Sequence, residues 1–233
     1  MNLEPSEVMA GLGVTSNQWG NDFVEVIATN YEIAALPPAN PGFVPVSNAI
    51  DMSPTTGLGF SEYDASSSTY VITAIGDDIW NAADGGHFVY FEASGDFEIQ
   101  AYIASINPSP DTWTKAGVMI RESLESNSMN AFSFMTLDRG AAAQFRPFTN
   151  AATTSSGIRW SNFGPVSSSA VRLKKVGNII TYSRADDGTT FEEYKTETWN
   201  GSGNVYVGMA VSSNRWKSQR ATARFENWQF TQL

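Results

Sequence analysis

Apolar and polar side chains alternate at every step along residues 97–103, which read FEIQAYI. A β-strand points successive side chains to opposite faces, so this period of two predicts a half-buried strand. Residues 115–121, which read KAGVMIR, continue the pattern with Ala116, Val118 and Ile120 on one face. Strands of this kind predict two packed layers, because each strand leaves one apolar face to be buried.

Similar strand patterns recur at short spacing from about Gly59 onward, with turn residues between them. Gly177-Asn178 suits a two-residue hairpin turn, and Asp187-Gly188 marks the next turn. The alternation slips at Glu226-Asn227, which predicts a β-bulge in the last strand. About twelve to fourteen strands without a long helical pattern predict an all-β fold, a two-sheet antiparallel β-sandwich or jelly roll.

The first fifty residues differ from the rest of the chain. A short alternating stretch, FVEVI at residues 23–27, is followed by four prolines within nine positions, namely Pro37, Pro38, Pro41 and Pro45. We expect an N-terminal extended arm and a stiff Pro-rich connector over residues 1–50, and the sandwich over residues 51–233. The arm is either a strand tied into the same sandwich or a segment that docks onto another subunit or a larger assembly.

The composition excludes several classes of protein. Residues 1–13 carry Glu4 and Glu7 and no Lys or Arg, the wrong polarity for a secretory signal, so we expect export without one or a signal that has been removed. No apolar run approaches the ~20 residues of a membrane-spanning helix. Because the chain has no cysteine, a disulfide framework, a thiol nucleophile and a thiolate metal site are excluded.

Charge is distributed very unevenly along the chain. The net charge of −10 disfavours binding to nucleic acid, whose phosphates would be repelled. Residues 1–114 carry 15 carboxylates and no Lys or Arg, whereas all 14 basic residues lie from Lys115 onward. Either strands from both halves interleave and the charges mix in space, or an acidic face holds Ca²⁺ or meets a basic face of a neighbouring copy.

Several segments of the sequence resemble the motifs of one known family. They are GDDIW at 76–80 with Asp84 and HFVY at 87–90, KAGVMIRE at 115–122, RLKK at 172–175, VYVGMAVSS at 205–213 and ARFEN at 223–227. The family is the concanavalin A-like (laminin-G-like) lectin/glucanase-fold β-sandwich modules of secreted bacterial and viral proteins. The resemblance covers roughly residues 55–231 and implies the sandwich fold, whereas most members have no assigned activity. Gly86 stands where the family commonly has an aromatic residue.

Three tryptophans lie in polar, Pro- or Ser-rich loops. An exposed indole can stack on a sugar ring while polar neighbours bond the sugar hydroxyls. The candidate groups are Trp113 with Asp111, Trp160 with Arg159 and Asn162, and Trp216 with Asn214 and Arg215. Trp and Arg also anchor protein interfaces, so the pattern predicts binding of a glycan or of a protein. Alternatively, each indole covers an end of the sandwich. The resemblance places Trp80 and Trp228 in the core.

Three carboxylates cluster within one short loop, at Asp77, Asp78 and Asp84. Ca²⁺ takes oxygen ligands from such loops, which makes these residues a candidate cation site. The alternative is turn chemistry, in which Asp side chains accept hydrogen bonds from the nearby backbone. Ca²⁺ is the one cofactor that the sequence suggests.

The sequence offers no recognisable catalytic set. Glucanases of the resembled fold carry Glu-x-Asp-x-x-Glu on one strand, and this chain has no such segment. His87 is the single histidine and no nucleophile-elbow motif accompanies it, so we expect it to be packed or hydrogen-bonded. Arg121 points away from Val118 and Ile120, and we expect it to form a structural ion pair.

Three functions are open, and we favour the first. It is a non-catalytic structural or adhesion module displayed on an extracellular or virion surface, such as a phage decoration or fibre protein, with glycan recognition as an added property. Its partners would be proteins contacted through the arm, in a homo-oligomer or a larger particle. The second function is a carbohydrate-binding module of a larger secreted polysaccharide-active protein. The third is a glycoside hydrolase or lyase.

Overall fold

The computed structural model describes residues 48–53, 59–156, 168–215 and 219–233. Within these ranges the chain forms sixteen β-strands, arranged as two antiparallel sheets of seven strands and one two-stranded hairpin. The predicted all-β, two-sheet antiparallel sandwich is therefore confirmed. The strand count exceeds the predicted one because several strands span only two to four residues, too few to show a period of two.

The first sheet carries the residues that matter most for the site. In spatial order it contains β1 (Asn48–Asp51), β6 (His87–Ser94), β15 (Asn204–Ser212), β8 (Lys115–Arg121), β9 (Asn130–Thr136), β10 (Gly140–Arg146) and β11 (Thr154–Ser156). Strands β8 and β15 pair antiparallel with Lys115 opposite Ser212. The start of β8 therefore lies beside the end of β15, and the loops that flank these two positions meet.

The second sheet forms the other layer of the sandwich. In spatial order it contains β14 (Glu192–Thr198), β13 (Ile179–Ala185), β12 (Ser169–Val176), β7 (Phe97–Ile106), β16 (Ala221–Gln232), β3 (Thr69–Ala74) and β2 (Phe60–Asp64). Val176 lies opposite Ile179, so Gly177-Asn178 is the predicted two-residue turn, with Gly177 at a φ of +56°. The register shift between Glu226 and Gln229 confirms the predicted bulge in β16.

The inner faces of the two sheets pack together and form the main core. Val118 and Ile120 of β8 and Ile99 and Ile103 of β7 are fully buried in it. Burying each side chain of this size stabilises the fold by about 1.5–3 kcal/mol. The alternation of residues 97–103 and 115–121 therefore identified the core-facing side correctly.

A second, smaller apolar cluster lies on the outer face of the first sheet. Met119, Phe132 and Phe134 point away from the main core and are nevertheless fully buried. Ile79 covers them from the hairpin formed by β4 (Ile79–Trp80) and β5 (Ala83–Asp84). This short hairpin is a cap on the outer face, and Trp80 and Asp84 are carried by it.

The predicted boundary between arm and sandwich at residue 50 falls inside strand β1. This strand pairs with β6 through Asn48–Asp51, so the sandwich begins at or before Asn48. The prediction of an extended arm over the preceding residues lies outside the described part of the chain. Gly86 precedes β6, and a Cβ atom there would lie 2.3 Å from the Val211 carbonyl oxygen. The aromatic residue of the resembled family would not fit at this close approach.

Acidic residues from the first part of the chain form ion pairs with basic residues from the second part. The ion pairs are Asp78 with Lys115, Asp84 with Arg121 and Arg146, Glu98 with Arg172, and Asp111 with Arg215. The first of the two alternatives for the charge distribution is thus confirmed, because strands of both halves interleave in space.

Candidate functional site

Three loops meet at the edge where β8 begins and β15 ends. The Gly76 N–H donates to Ser213 Oγ at 3.1 Å, and the Arg215 N–H donates to the Gly76 carbonyl oxygen at 2.9 Å. Thr114, from the loop before β8, donates through Oγ1 to the Ser213 carbonyl oxygen at 3.0 Å. The segments before β4, before β8 and after β15 are therefore bonded into one rim.

A pocket of about 360 Å³ lies inside this rim, and we call it the tryptophan pocket. Its lining residues are Asp78, Trp80, Trp113, Lys115, Gln144, Ser155 and Asn214. Trp80 and Trp113 are both half-buried, so part of each indole is accessible. Two indoles and five polar or charged side chains line the pocket, so it offers aromatic surface together with hydrogen-bonding groups.

Asp111 holds the loop residues on one side of the tryptophan pocket in place. Its Oδ1 accepts hydrogen bonds from the Trp113 N–H and from Asn214 Nδ2, both at 2.9 Å, and its Oδ2 lies 2.9 Å from Arg215 Nη2. Burial acts to raise the pKa of Asp111, but these donors and the Arg215 charge outweigh it and lower the pKa. The ionised carboxylate therefore fixes both Trp113 and Asn214 at the pocket wall.

Lys115 and Asp78 form an ion pair at the base of the tryptophan pocket. Lys115 Nζ lies 2.5 Å from Asp78 Oδ1 and 3.0 Å from the Ile79 carbonyl oxygen. With the Gln144 amide oriented so that both of its groups are satisfied, its oxygen accepts a third bond from Lys115 at 3.0 Å. Burial lowers the pKa of Lys115 and raises the pKa of Asp78, in each case against the attraction between the two charges.

The aromatic rings near Lys115 add to its surroundings. Its Nζ lies 5.7 Å from the centre of the Trp80 ring and 5.4 Å from the centre of the Phe134 ring. An ammonium group within about 6 Å of an indole face is attracted by the ring quadrupole. On the opposite wall, the Arg139 guanidinium lies 5.5 Å from the Trp113 ring centre. Each indole is thus held by a cation as well as by its backbone.

The structure corrects the prediction of a calcium site at Asp77, Asp78 and Asp84. Both oxygens of Asp84 are buried and accept from Arg121, Arg146 and Asn130, and the shortest contact of each guanidinium is 2.5 Å. Asp78 is committed to Lys115, as described above. Within the described ranges, no group of three or more acidic or histidine side chains is placed to hold a metal ion. A cation beside Asp84 would be repelled by two guanidinium groups.

The guanidinium groups around Asp84 also bind the surrounding backbone, and we call these four residues the Asp84 cluster: Asp84, Arg121, Asn130 and Arg146. Arg146 donates to the carbonyl oxygens of Trp80 and Asn81 in the hairpin and of Ser126 and Ser128 in the loop before β9. The ion pair expected for Arg121 is thus found, with Asp84 as its partner. The cluster fastens the hairpin, and with it Trp80, to the outer face of the first sheet.

The structure brings together two of the three groups predicted around tryptophans. Trp113 and Asp111 of one group meet Asn214 and Arg215 of another, through the bonds that Asp111 accepts. Trp216, which was predicted with the second group, lies outside the described residues. So do Trp160, Arg159 and Asn162. The described members of these two groups therefore lie at one pocket edge.

Sequence reasoning missed Trp80, Lys115 and Gln144. Trp80 was expected in the core, whereas it is half-buried and lines the tryptophan pocket. Trp228, also expected there, is 3% exposed and packs in the main core. One signal was present for Lys115, because the alternation places it on the same face as Arg121, opposite Val118 and Ile120. No local signal distinguishes Gln144.

His87 has the structural role expected of it. It is 5% exposed, and its Nδ1 lies 2.9 Å from Asp51 Oδ1 on the neighbouring strand β1. The pair thus ties the edge strand to β6 and lies outside the lining of the tryptophan pocket.

Within the described ranges, no helix combines the length and the apolar character needed to cross a membrane.

The two antiparallel seven-stranded sheets and the capped outer face define the class of the protein as a concanavalin A-like, jelly-roll β-sandwich. No protein-family model matches the sequence, and no curated protein matches it significantly.

Solved structures with the same fold include proteins of different kinds. One is a functionally unknown protein from Saccharomyces cerevisiae, at a TM-score of 0.61 and 14% identity over 82% of this chain and 99% of that one. A second is a mutant of the GH43 protein BlXynB from Bacillus licheniformis, at 0.51 and 12% identity over 84% of this chain and 41% of that one. A third is the carbohydrate-binding module CBM66 from Bacillus subtilis, at 0.49 and 10% identity over 79% and 95%. Identities this low describe the fold and not the ligand.

Proposed function

We propose that this chain is a non-catalytic glycan-binding module whose ligand occupies the tryptophan pocket. The observation that carries the proposal is that Trp80 and Trp113 line one pocket together with the polar side chains of Asp78 and Asn214. An indole face packs against the C–H groups of a sugar ring, while carboxylate and amide groups bond its hydroxyls. The pocket offers both kinds of contact at once.

The pocket is built before any ligand arrives. Asp111 fixes the backbone of Trp113 and the amide of Asn214, and the Asp84 cluster fixes the hairpin that carries Trp80. Binding then costs less ordering of side chains and loops, which favours affinity for a ligand with few strong contacts. This preorganisation supports a binding role for the rim.

The state of the acidic residues supports a role without catalysis. Glycoside hydrolysis uses two carboxyl groups about 5–10 Å apart, one on each side of the scissile bond. Around the tryptophan pocket, Asp78 is paired with Lys115 and Asp111 with Arg215. Asp84 is enclosed by two arginines. Carboxylates held in this way are poorly placed to act as a general acid and a base.

A glycan array followed by isothermal titration tests the proposal. We expect at least one glycan to bind in the millimolar range or tighter, and Trp113→Ala to weaken it about tenfold or more, a loss of about 1.4 kcal/mol. Phe60→Ala is the matched control, because Phe60 is 46% exposed on strand β2 of the second sheet. Failure of every glycan to bind, or equal loss in the two variants, would contradict the proposal.

We further propose that the N-terminal segment that precedes strand β1 attaches the module to other proteins of an assembly on an extracellular or virion surface. In support, the sequence places four prolines within residues 37–45, a composition that favours a stiff, extended connector. Light scattering of the full chain and of a chain starting at Asn48 tests this. We expect the full chain to self-associate and the shortened chain to be monomeric; a monomeric full chain would contradict it.

A further inference from the structure

A second pocket adjoins the tryptophan pocket, and we call it the hairpin pocket. It measures about 380 Å³ and is lined by Ser53, Asp77, Asp78 and residues 80–85. Asp78 and Trp80 line both pockets. These two residues therefore form a shared wall, with one pocket on each side.

We propose that the two pockets are adjacent subsites of one groove, and that the groove takes a linear, neutral oligosaccharide rather than a single sugar. This inference rests on the proposed glycan-binding function and specifies its ligand class. The shared wall supports this inference, because a ligand that contacts Trp80 from the tryptophan pocket is already next to the hairpin pocket.

The sizes of the pockets agree with two subsites. Small-molecule sites measure about 300–1,000 Å³, and each pocket alone lies at the lower end of that range. A single sugar fits one of them, whereas both together suit a chain of sugars. Asn81, Ala82 and Ala83 of the hairpin pocket are exposed, so this side of the groove is open to solvent. A longer glycan could leave the groove here without being blocked.

The charges of the groove favour a neutral ligand. Among the described residues that line the two pockets, Lys115 is the only cation. Its three ammonium hydrogens are directed at Asp78, the Ile79 carbonyl and Gln144, so none is left for a carboxylate or sulfate of the ligand. Asp77 and Asp78 add negative charge to the lining, which would repel an anionic sugar.

Titration with oligomers of defined length tests both parts of the inference. The probes are β-1,4-linked oligomers of glucose, xylose and mannose with one to four units, and oligogalacturonate of the same lengths as the anionic probe. For a neutral series we expect the affinity to rise about tenfold from the monomer to the trimer, and we expect oligogalacturonate to bind more weakly than that series. Equal affinity for monomer and trimer would overturn the two subsites, and tighter binding of oligogalacturonate would overturn the neutral ligand.

Blocking one pocket at a time locates the subsites. Ala82→Trp, with Ala83→Trp as a second variant, adds bulk to the hairpin pocket from an exposed position. We expect each to lower the trimer affinity to that of the monomer, so that the dependence of affinity on length is lost. Thr196→Trp is the control, because Thr196 is exposed on the edge strand β14 of the other sheet. Unchanged trimer binding in both hairpin variants would overturn the inference.

The outcomes separate this inference from the proposed function. If an array glycan binds but its affinity does not depend on length or on the hairpin variants, the proposed glycan-binding function is supported and the second subsite is overturned. If only anionic glycans bind, the proposed glycan-binding function is supported and the proposal of a neutral ligand is overturned. If no glycan binds at millimolar concentration on the array or in the titrations, both are overturned.

Discussion

Asp78 and Asp84 lie six residues apart on the same segment, yet the fold gives them opposite surroundings. The side chain of Asp84 is 0% exposed and meets two guanidinium groups, whereas that of Asp78 is 29% exposed and meets one ammonium group. Asp84 therefore holds the hairpin in place, and Asp78 lines the pocket that the hairpin helps to form. The comparison shows that burial and the number of partners, not residue type, separate the two roles.

The two carboxylates also depend on each other through the hairpin. Arg146 bonds Asp84 and the carbonyl oxygens of Trp80 and Asn81, so the Asp84 cluster sets the position of Trp80. Asp78 and Trp80 then line the tryptophan pocket together. A change at Asp84 should act first on stability, and a change at Asp78 should act first on the site.

Removal of the Asp84 charge should have the largest effect. Asp84→Asn leaves Arg121 and Arg146 buried without a counter-charge, and breaking a buried pair in this way costs about 3–5 kcal/mol. Urea unfolding should therefore show a loss of this size in the free energy of unfolding. Asp78→Asn is the matched control, with a much smaller loss. Equal losses in the two variants would break the comparison.

Removal of the ammonium group beside Asp78 should have an intermediate effect. Lys115→Met keeps an unbranched side chain but leaves Asp78, the Ile79 carbonyl and Gln144 without a donor. We expect a loss of about 1–3 kcal/mol, because Asp78 retains access to water and can be protonated. Urea unfolding measures this loss of stability. A loss as large as that of Asp84→Asn would show that the two sites are equally shielded from water, against the comparison.

The stability of the chain should depend on pH through Asp78. Burial raises the pKa of this carboxyl above its ordinary value of 3.8, so the unfolded chain ionises first as pH rises. The contribution of Asp78 is fully present below pH 3.8 and is lost as pH rises through the raised value. The difference in unfolding free energy between wild type and Asp78→Asn should fall as pH rises through this window. A difference that rises with pH would contradict the assignment.

An exposed turn provides the opposite sign and the smallest effect. Hydrogen bonds from the Ser66 and Ser67 hydroxyls to Asp64, at 2.6 and 2.7 Å, lower the pKa of Asp64 to about 2. Its contribution is present above pH 3.8 and is lost as pH falls from there to about 2. Above pH 3.8, Asp64→Asn should therefore be slightly less stable than the wild type in urea unfolding, and the difference should shrink as pH falls to about 2. Identical pH dependence of stability in the variant and the wild type would show that Asp64 makes no such contribution.

The fold could be predicted from the sequence because its signal is local. Residues 97–103 and 115–121 each show the period of two within seven positions, and the turn at Gly177-Asn178 needs only neighbouring residues. The bulge in β16 was visible for the same reason, as a slip in the phase of one strand. Local patterns of this kind are independent of which strands pair.

The site could be predicted only in part because it depends on pairing between distant strands. Asp111 and Asn214 were assigned to separate groups, and they meet because the start of β8 lies beside the end of β15. Trp80 reaches the pocket because Arg146, far along the chain, binds the hairpin carbonyls. No pattern near Trp80 reports a contact made by a residue of β10. The candidate cation site was misread for the same reason, since the basic partners of Asp78 and Asp84 lie on other strands.

Nuclear magnetic resonance of the tryptophan indoles tests the central claim most directly. The indole N–H signals of Trp80 and Trp113 can be assigned with Trp80→Phe and Trp113→Phe, and a glycan found on the array is then titrated into the ¹⁵N-labelled chain. We predict that these two signals shift together on binding, while those of the buried Trp199 and Trp228 stay in place. A glycan that binds and leaves the Trp80 and Trp113 signals unchanged would contradict the account.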